Sequence, residues 1–307
     1  MDSIKIQAPA TVANLSCGFD VLGVCLNEPY DEIEIIKIDK PKVQIDILDS
    51  KFSNIPNIPS QNTGGVPAEL LIRDLKLNFG FNIKIKKGIP LCGGLGSSAA
   101  TSAGVVFAIN KLLSSNLSDI DLLKYALEGE KVSVSNPHAD NIAPCLFGGM
   151  IIIRDTNSLD ISKVPINNFY FAIIHPDIKI STEVARNILP SSIKLDLAIQ
   201  QWGNLGSLIN AFHLQDLNLI KKSMQDVVIE PYRSSLIKFF DEIKKISINS
   251  GALGFGISGS GPSMFALCEN ENIAKEIVNN SKEIYLENNI DCDTYVSTVN
   301  NIGPKVI

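Results

Sequence analysis

Apolar and polar positions alternate over Asp31–Ile38 and again over Phe81–Lys86, the two-residue period of strands with one face in a core. Ser3–Ala8, Val43–Leu48, Met150–Ile153, Phe169–His175, Ala252–Ser258, Ser263–Cys268 and Asp293–Val299 read as further strands. Helical spacing predicts helices over Asn62–Phe79, Thr101–Leu113, Ser118 to about Lys131, His138–Phe147 behind Pro137, Thr182–Leu189, long stretches within 194–245, and Ile273–Asn288. The Thr101–Leu113 stretch is small and apolar all round and is expected to be buried. Ser118 with Asp121 three residues later marks a helix start. Small residues fill Ala8–Asp20, polar residues and prolines fill 50–61, and both read as loops. Strands and helices mix without regular βα alternation, so the fold class is α+β. The polar stretch 155–168 makes the best boundary, dividing the chain into 1–160 and 161–307.

Composition narrows the function classes. Hydrophobic residues make up 45% of 307 and charged residues 20%, enough for a sizeable core. With 27 basic against 33 acidic residues the net charge is −6, which argues against a nucleic-acid binder. The longest uncharged stretches, Gly88–Asn110 and Ile246–Cys268, each hold a proline and five glycines, so no membrane span is expected. The opening residues lack the apolar centre of a signal peptide. Six cysteines without a CxxC pair are expected to be buried free thiols in a reducing, cytoplasmic setting.

Candidate chemistry concentrates in a few segments. Pro90-Leu91-Cys92-Gly93-Gly94-Leu95-Gly96-Ser97-Ser98 enters a predicted helix. Its glycines admit close backbone approach, and a helix N-terminus suits phosphate. It lacks the Gly-Lys-Ser/Thr of a Walker A loop, and a tight strand-to-helix turn explains it equally. Gly254–Gly259 fits G-x-G-x-x-G but sits between two predicted strands, so a dinucleotide site is not expected. The loop through Gly259 instead reads as backbone that passes close to a ligand. His138-Ala139-Asp140-Asn141 gathers polar groups at a helix start, where capping is the plain alternative. Glu130, near a helix end, is a surface carboxylate by default. Only four of the basic residues are Arg, among them Arg186 and Arg233, which hints at planar, bidentate donation as well as at surface solvation.

Together these segments resemble the GHMP small-molecule kinases. The phosphate-loop pattern P-x-x-x-G-L-G-S-S-A is met at Pro90–Ala99, and the third motif of that superfamily at Gly254–Pro262. Within the superfamily the chain most resembles the homoserine kinase family. The shared runs are Pro9–Asp20, His138–Gly149, the series His175-Pro176, Thr182, Arg186 and Leu189-Pro190, and Glu230–Arg233; Ser16 and Cys17 depart from the family pattern. The resemblance implies an N-terminal domain like the second domain of ribosomal protein S5 and a ferredoxin-like C-terminal domain. It implies ATP and Mg²⁺ as cofactors, with Gly93, Gly94, Gly96, Ser97 and Ser98 on the phosphates, Ser98 and Glu130 on Mg²⁺, and Asn62 near the base. It further implies that Asn14, Asp20, His138, Asp140, Thr182, Arg186, Arg233 and Gly259 surround L-homoserine, with Asn141 near the reacting hydroxyl. The implied reaction makes O-phospho-L-homoserine, a step toward threonine, and a homodimer is expected. Another GHMP kinase, or a non-catalytic ATP-binding regulator on the same fold, are the alternatives.

Overall fold

The computed structural model describes residues 2–48, 52, 55–133 and 139–307. The chain begins with β1 (Ser3–Ala13), β2 (Leu22–Ile38) and β3 (Val43–Ile47), then α1 (Gly65–Asp74) and β4 (Gly80–Lys86). Next come α2 (Ser97–Leu113), α3 (Asp119–Glu130), α4 (Ala139–Phe147), β5 (Met150–Asp155) and β6 (Asp160–Val164). The second half holds β7 (Tyr170–Pro176), α5 (Thr182–Asn187), α6 (Leu195–Leu214), α7 (Leu217–Ser223), α8 (Glu230–Arg233), α9 (Phe240–Asn249), β8 (Gly254–Ile257), β9 (Met264–Cys268), α10 (Glu271–Glu287), β10 (Cys292–Thr298) and β11 (Lys305–Val306).

The first sheet runs β11-β1-β2-β4-β3, with β5 paired to β2 and β6 to β5. Its inner face presents Ile6, Ile33, Ile35 and Ile83 to the small-residue helix α2, which is almost wholly buried. The second sheet is antiparallel in the order β10-β7-β9-β8. One of its cores joins Phe255, Ile277 and Tyr285; Phe171, Ile173 and Phe265 belong to the core of the first half, so the two halves share apolar packing.

Several elements differ from their predicted spans. β1 continues through Pro9–Ala13, and β2 starts at Leu22 rather than Asp31. Pro9–Ala13 of β1 and Leu22–Leu26 of β2 are buried on both faces, which removes the alternation that announces a strand, and the exposed pair Asn27–Glu28 then breaks the pattern. The polar stretch 155–168 contains β6, a partly exposed strand paired with β5, so its polarity comes from exposure. α1 is shorter than predicted because Asn62 and Gly64 form the turn ahead of it and Lys76 takes a left-handed φ of 52° after it. α2 starts at Ser97, earlier than predicted, with Gly96 in the left-handed region as its N-cap. Ser118 caps α3 as expected, accepting from the Asp121 amide at 3.2 Å. Gly254–Ile257 pairs antiparallel with Met264–Cys268, so the G-x-G-x-x-G run opens no helix. Five cysteines are buried free thiols; Cys92 is exposed, because it lies on the outside of the glycine loop at φ 52°.

Candidate active site

The loop between β4 and α2 is built on a buried ion pair. Asp31 lies on β2 in the same inward row as Ile33 and Ile35 and is fully buried. Its carboxylate accepts from the amides of Gly88 (2.9 Å) and Ile89 (3.0 Å) and from Lys87 Nζ. Lys87 Nζ also donates to the Ser97 carbonyl (2.8 Å) and Thr101 Oγ1 (3.0 Å), which ties the start of the loop to the first turn of α2. The loop carbonyls are then drawn back in sequence. Gly93 O accepts from the Ser263 amide (3.1 Å), Gly94 O from Ser258 Oγ (2.6 Å) and Leu95 O from the Thr11 amide (3.1 Å). Gly94 and Gly96 sit at φ 77° and 68°, and a Cβ there would come 2.1 Å from the Ser258 carbonyl oxygen and from Thr11 Oγ1 respectively. Only glycine fits. The outcome is a fixed loop ending at the N-terminus of a 17-residue helix with no side-chain cap, a place suited to phosphate. Pro90 and Leu95 are buried anchors, and Leu91 is half-buried.

Ser98 Oγ donates to Glu130 Oε2 at 2.9 Å. Glu130 ends α3 and is buried, and burial pushes its carboxyl up to about 7, with the Ser98 hydrogen bond pulling the other way. Its Oε1 is buried without a partner. A desolvated carboxylate with an unused oxygen beside a hydroxyl fits a divalent cation. No group of three or more His, Cys, Asp or Glu that could hold a metal occurs among the described residues, so the remaining ligands would be phosphate oxygens and water, the usual surroundings of Mg²⁺.

Asp140 and Asn141 stand in the first turn of α4. Thr11 Oγ1 donates to Asn141 Oδ1 at 2.6 Å, which turns the Asn141 Nδ2 toward Asp140 Oδ1 at 3.5 Å. Burial first, and the Asp20 charge second, raise Asp140 to about 7; Arg186 opposes them. Asp20, at φ 57°, donates its amide to Asn14 Oδ1 (3.1 Å), and Asn14 Nδ2 donates to the Gly259 carbonyl (3.0 Å). Arg186 grips Asp20 in a fork of 2.8 and 3.3 Å. Arg233 donates to the carbonyls of Gly259 (2.8 Å) and Ala185 (3.0 Å), and burial together with nearby Arg186 lowers it to about 10. A small cavity between these groups is lined by Asn14, Ser16, Asp226, Glu230, Arg233 and Gly259.

The tertiary structure thus gathers Asn14, Asp20, Asp140, Asn141, Arg186, Arg233 and Gly259 beside the loop and the Ser98–Glu130 pair. Thr182 stands exposed at the first position of α5, one turn before Arg186. Asn62 is buried and spends both ends of its amide locally, donating to Pro56 O (2.6 Å) and accepting from the Gly64 amide (2.9 Å). His138 lies outside the described residues. Other contributors carry no motif of their own. Phe19 supports both arginines, whose Cζ atoms lie 5.2 and 4.9 Å from its ring centre. Asp226 accepts from the amides of Val228, Ile229 and Glu230 and so shapes α8, which carries Arg233. His175 Nδ1 meets Ser263 Oγ at 2.9 Å beneath Gly93. The Asp226 cap could be suspected from an Asp four residues ahead of Glu-Pro; Lys87 and Asp31 give no such hint, since Asp31 lies in an ordinary alternating strand and Lys87 directly follows another.

Family models for the GHMP kinases N terminal domain and the GHMP kinases C terminal match residues 66–149 and 197–285. The chain is 36% identical over 320 residues to a homoserine kinase of Chlorobaculum tepidum, covering 100% of this chain and 99% of that one. It is 38% identical over 300 residues to a homoserine kinase of Methanococcus vannielii, covering 97% of each. The crystal structure of homoserine kinase from Cytophaga hutchinsonii superposes with a TM-score of 0.96 at 45% identity, over 100% of this chain and 98% of that one. A mevalonate kinase of L. major shares the fold, with a TM-score of 0.74 at 18% identity over 96% of this chain and 95% of that one.

Proposed function

The chain belongs to the homoserine kinase family of the GHMP kinases, and from this premise we propose that it transfers the γ-phosphoryl group of ATP to the hydroxyl of L-homoserine, giving ADP and O-phospho-L-homoserine for amino-acid biosynthesis. The observation that carries the residue roles is the position of Asn141. It is tied to Thr11 beside Gly96 on one side and faces Asp140 on the other, so it stands between the phosphate loop and the charged pocket.

Phosphoryl transfer asks mainly for positioning and charge neutralisation. The amides of Gly93–Ser98 would hold the phosphates, with Pro90, Leu91 and Cys92 forming the entry of the loop. Ser98 and Glu130 would hold Mg²⁺, which when bound neutralises the phosphate charge. Arg186 and Arg233 would receive the substrate carboxylate, Asp140 and Asp20 its ammonium, and Asn141 would orient the hydroxyl. Because Asp20 already holds the Arg186 fork, it would share its carboxylate between the guanidinium and the ammonium. Asn14 and the Gly259 carbonyl would hold Asp20 and Arg233 in place, and Thr182 and His138 would join the substrate set, whereas Asn62 would lie near the base only as part of the turn that takes up its side-chain amide.

No helix among the described residues is long and apolar enough to cross a membrane. The five buried free thiols support a reducing, cytoplasmic setting. The expected division at 160/161 would cut through β6 (Asp160–Val164), a strand of the first sheet, so a boundary between Val164 and Tyr170 fits the two sheets better. The test is ADP release over a panel of amino and hydroxy acids. Turnover with L-homoserine and not with its amide supports the reading. Preference for mevalonate or a sugar would assign another GHMP substrate, and ATP binding without turnover would assign a regulator.

A further inference from the structure

Four buried side-chain polar atoms have no hydrogen-bond partner among the described residues: Ser16 Oγ, Asn82 Oδ1, Glu130 Oε1 and Ser281 Oγ. Glu130 stands beside Ser98, and Asn82 and Ser281 lie on β4 and α10, away from the charged pocket. Ser16, by contrast, is only 4% exposed and lines the small cavity beside Arg233. Its backbone is unfavourable as well. Asn14, Leu15 and Ser16 take left-handed φ values of 73°, 40° and 66° in succession, and of these residue types only asparagine adopts that region readily. Glycine at position 16 would relieve the backbone and bury no hydroxyl. Serine thus carries two penalties that no contact within the protein offsets.

We infer that Ser16 is a positioning residue that acts through one fixed water, seated in this cavity and bonded to both Ser16 Oγ and the Arg233 guanidinium. The cavity measures about 10 Å³, room for a single water. Arg233, Asp226 and Glu230 line it with Ser16, so a water there finds a donor, acceptors and the hydroxyl, the two to four partners it needs. Two of the five N–H groups of Arg233 go to the Ala185 and Gly259 carbonyls, which leaves donors for a water on one side and a carboxylate on the other. Glu230 uses one of its oxygens on Lys244. Charge favours a neutral occupant over a cation, because Lys244 and Arg233 match Glu230 and Asp226. Asp20, Asp140 and Arg186 do not line the cavity, so it stands behind Arg233 rather than in the substrate pocket. A water held there fixes the guanidinium plane from behind, nearly as well as a direct hydrogen bond would. This role rests on the proposed function, in which Arg233 receives the substrate carboxylate.

A crystal structure of the full chain without substrate, at a resolution that shows ordered solvent, tests the site. One water peak within hydrogen-bond reach of Ser16 Oγ and Arg233 is expected. A cavity without density, or an anomalous signal from rubidium after a soak, would overturn the inference. Kinetics test the role. Ser16→Ala loses the hydroxyl and little else, so KM for L-homoserine should rise about 5-fold or more, the factor for one hydrogen bond, while kcat and KM for ATP hold. Ser16→Gly should raise KM for homoserine as well, with Tm unchanged or higher because the left-handed strain is gone. Affinity and stability then move apart, which a merely structural hydroxyl would not allow. Wild-type KM for homoserine in both variants, or an equal rise for ATP, would overturn the role. If the wild type turns over another GHMP substrate instead, the proposed function fails, while the solvent density still decides the site.

Discussion

Phe19 has no charge and no side-chain hydrogen bond to offer, yet both arginines of the pocket rest on its ring. Burial first and the neighbouring Arg186 charge second disfavour the Arg233 cation, and the negative ring face offsets part of that cost while holding both forks flat. Phe19→Leu keeps the apolar volume and loses the ring. At about 0.5–1 kcal/mol per contact, the Michaelis constant for homoserine should rise ~3- to 10-fold while that for ATP stays put, and Phe19→Tyr should behave as wild type. Equal effects on both substrates would reduce Phe19 to packing. Asp140 makes a second prediction at this scale. Its carboxyl is raised to about 7 from an ordinary 3.8, so the native state holds a proton that the unfolded chain releases. Stability from this group is therefore full below pH 3.8 and is lost as pH rises through about 7, by at most ~4 kcal/mol. The ammonium of the substrate needs the ionised form, so kcat/KM for homoserine should rise with pH through about 7. Asp140→Asn should remove this share of both profiles and leave the share of Glu130, which burial also raises to about 7, as read by Tm and by initial rates.

At the scale of elements, the strand-to-helix loop owes its shape to partners outside itself. Lys87 links Asp31 on β2 to the Ser97 carbonyl in α2, and both charged side chains are buried. Lys87→Met would leave the Asp31 carboxylate buried with only two amide donors. The loss should be about 3–5 kcal/mol, seen as a fall in Tm, and the double variant with Asp31→Asn should recover part of it. Because the loop starts at this pair, the Michaelis constant for ATP should rise in the single variant more than that for homoserine. A stable Lys87→Met protein with wild-type ATP kinetics would show that the loop holds its form without the pair.

Across the whole molecule, the second sheet completes a loop that belongs to the first half. Ser258 and Ser263, at the two ends of the β8–β9 turn, bond to the carbonyls of Gly94 and Gly93. Ser258→Ala removes one such bond at a cost of about 1 kcal/mol. Affinity for ATP should fall ~5-fold in a nucleotide titration, with little change in Tm because the shared apolar core remains. Unchanged ATP affinity would mean that the contact between halves does not shape the loop.

The amino-acid sequence by itself determined the α+β class, the strands that alternate, the phosphate loop and most of the charged pocket, because these rest on local periodicity or on residue types needed at short spacing. Gly94 and Gly96, Asp140 and Asn141, Ser97 and Ser98 could all be named before any fold was known. Only the tertiary structure decided that Asp31 faces inward to Lys87, that Asn62 spends its amide on a turn, and that Phe19 supports two arginines far along the chain. It alone extended β1 through Pro9–Ala13 and β2 back to Leu22, where residues buried on both faces carry no alternation signal. The physical reason is common to these cases. Periodicity reports one exposed and one buried face, whereas a buried charge, a saturated amide or a ring beneath two cations is defined by partners that only folding brings within reach.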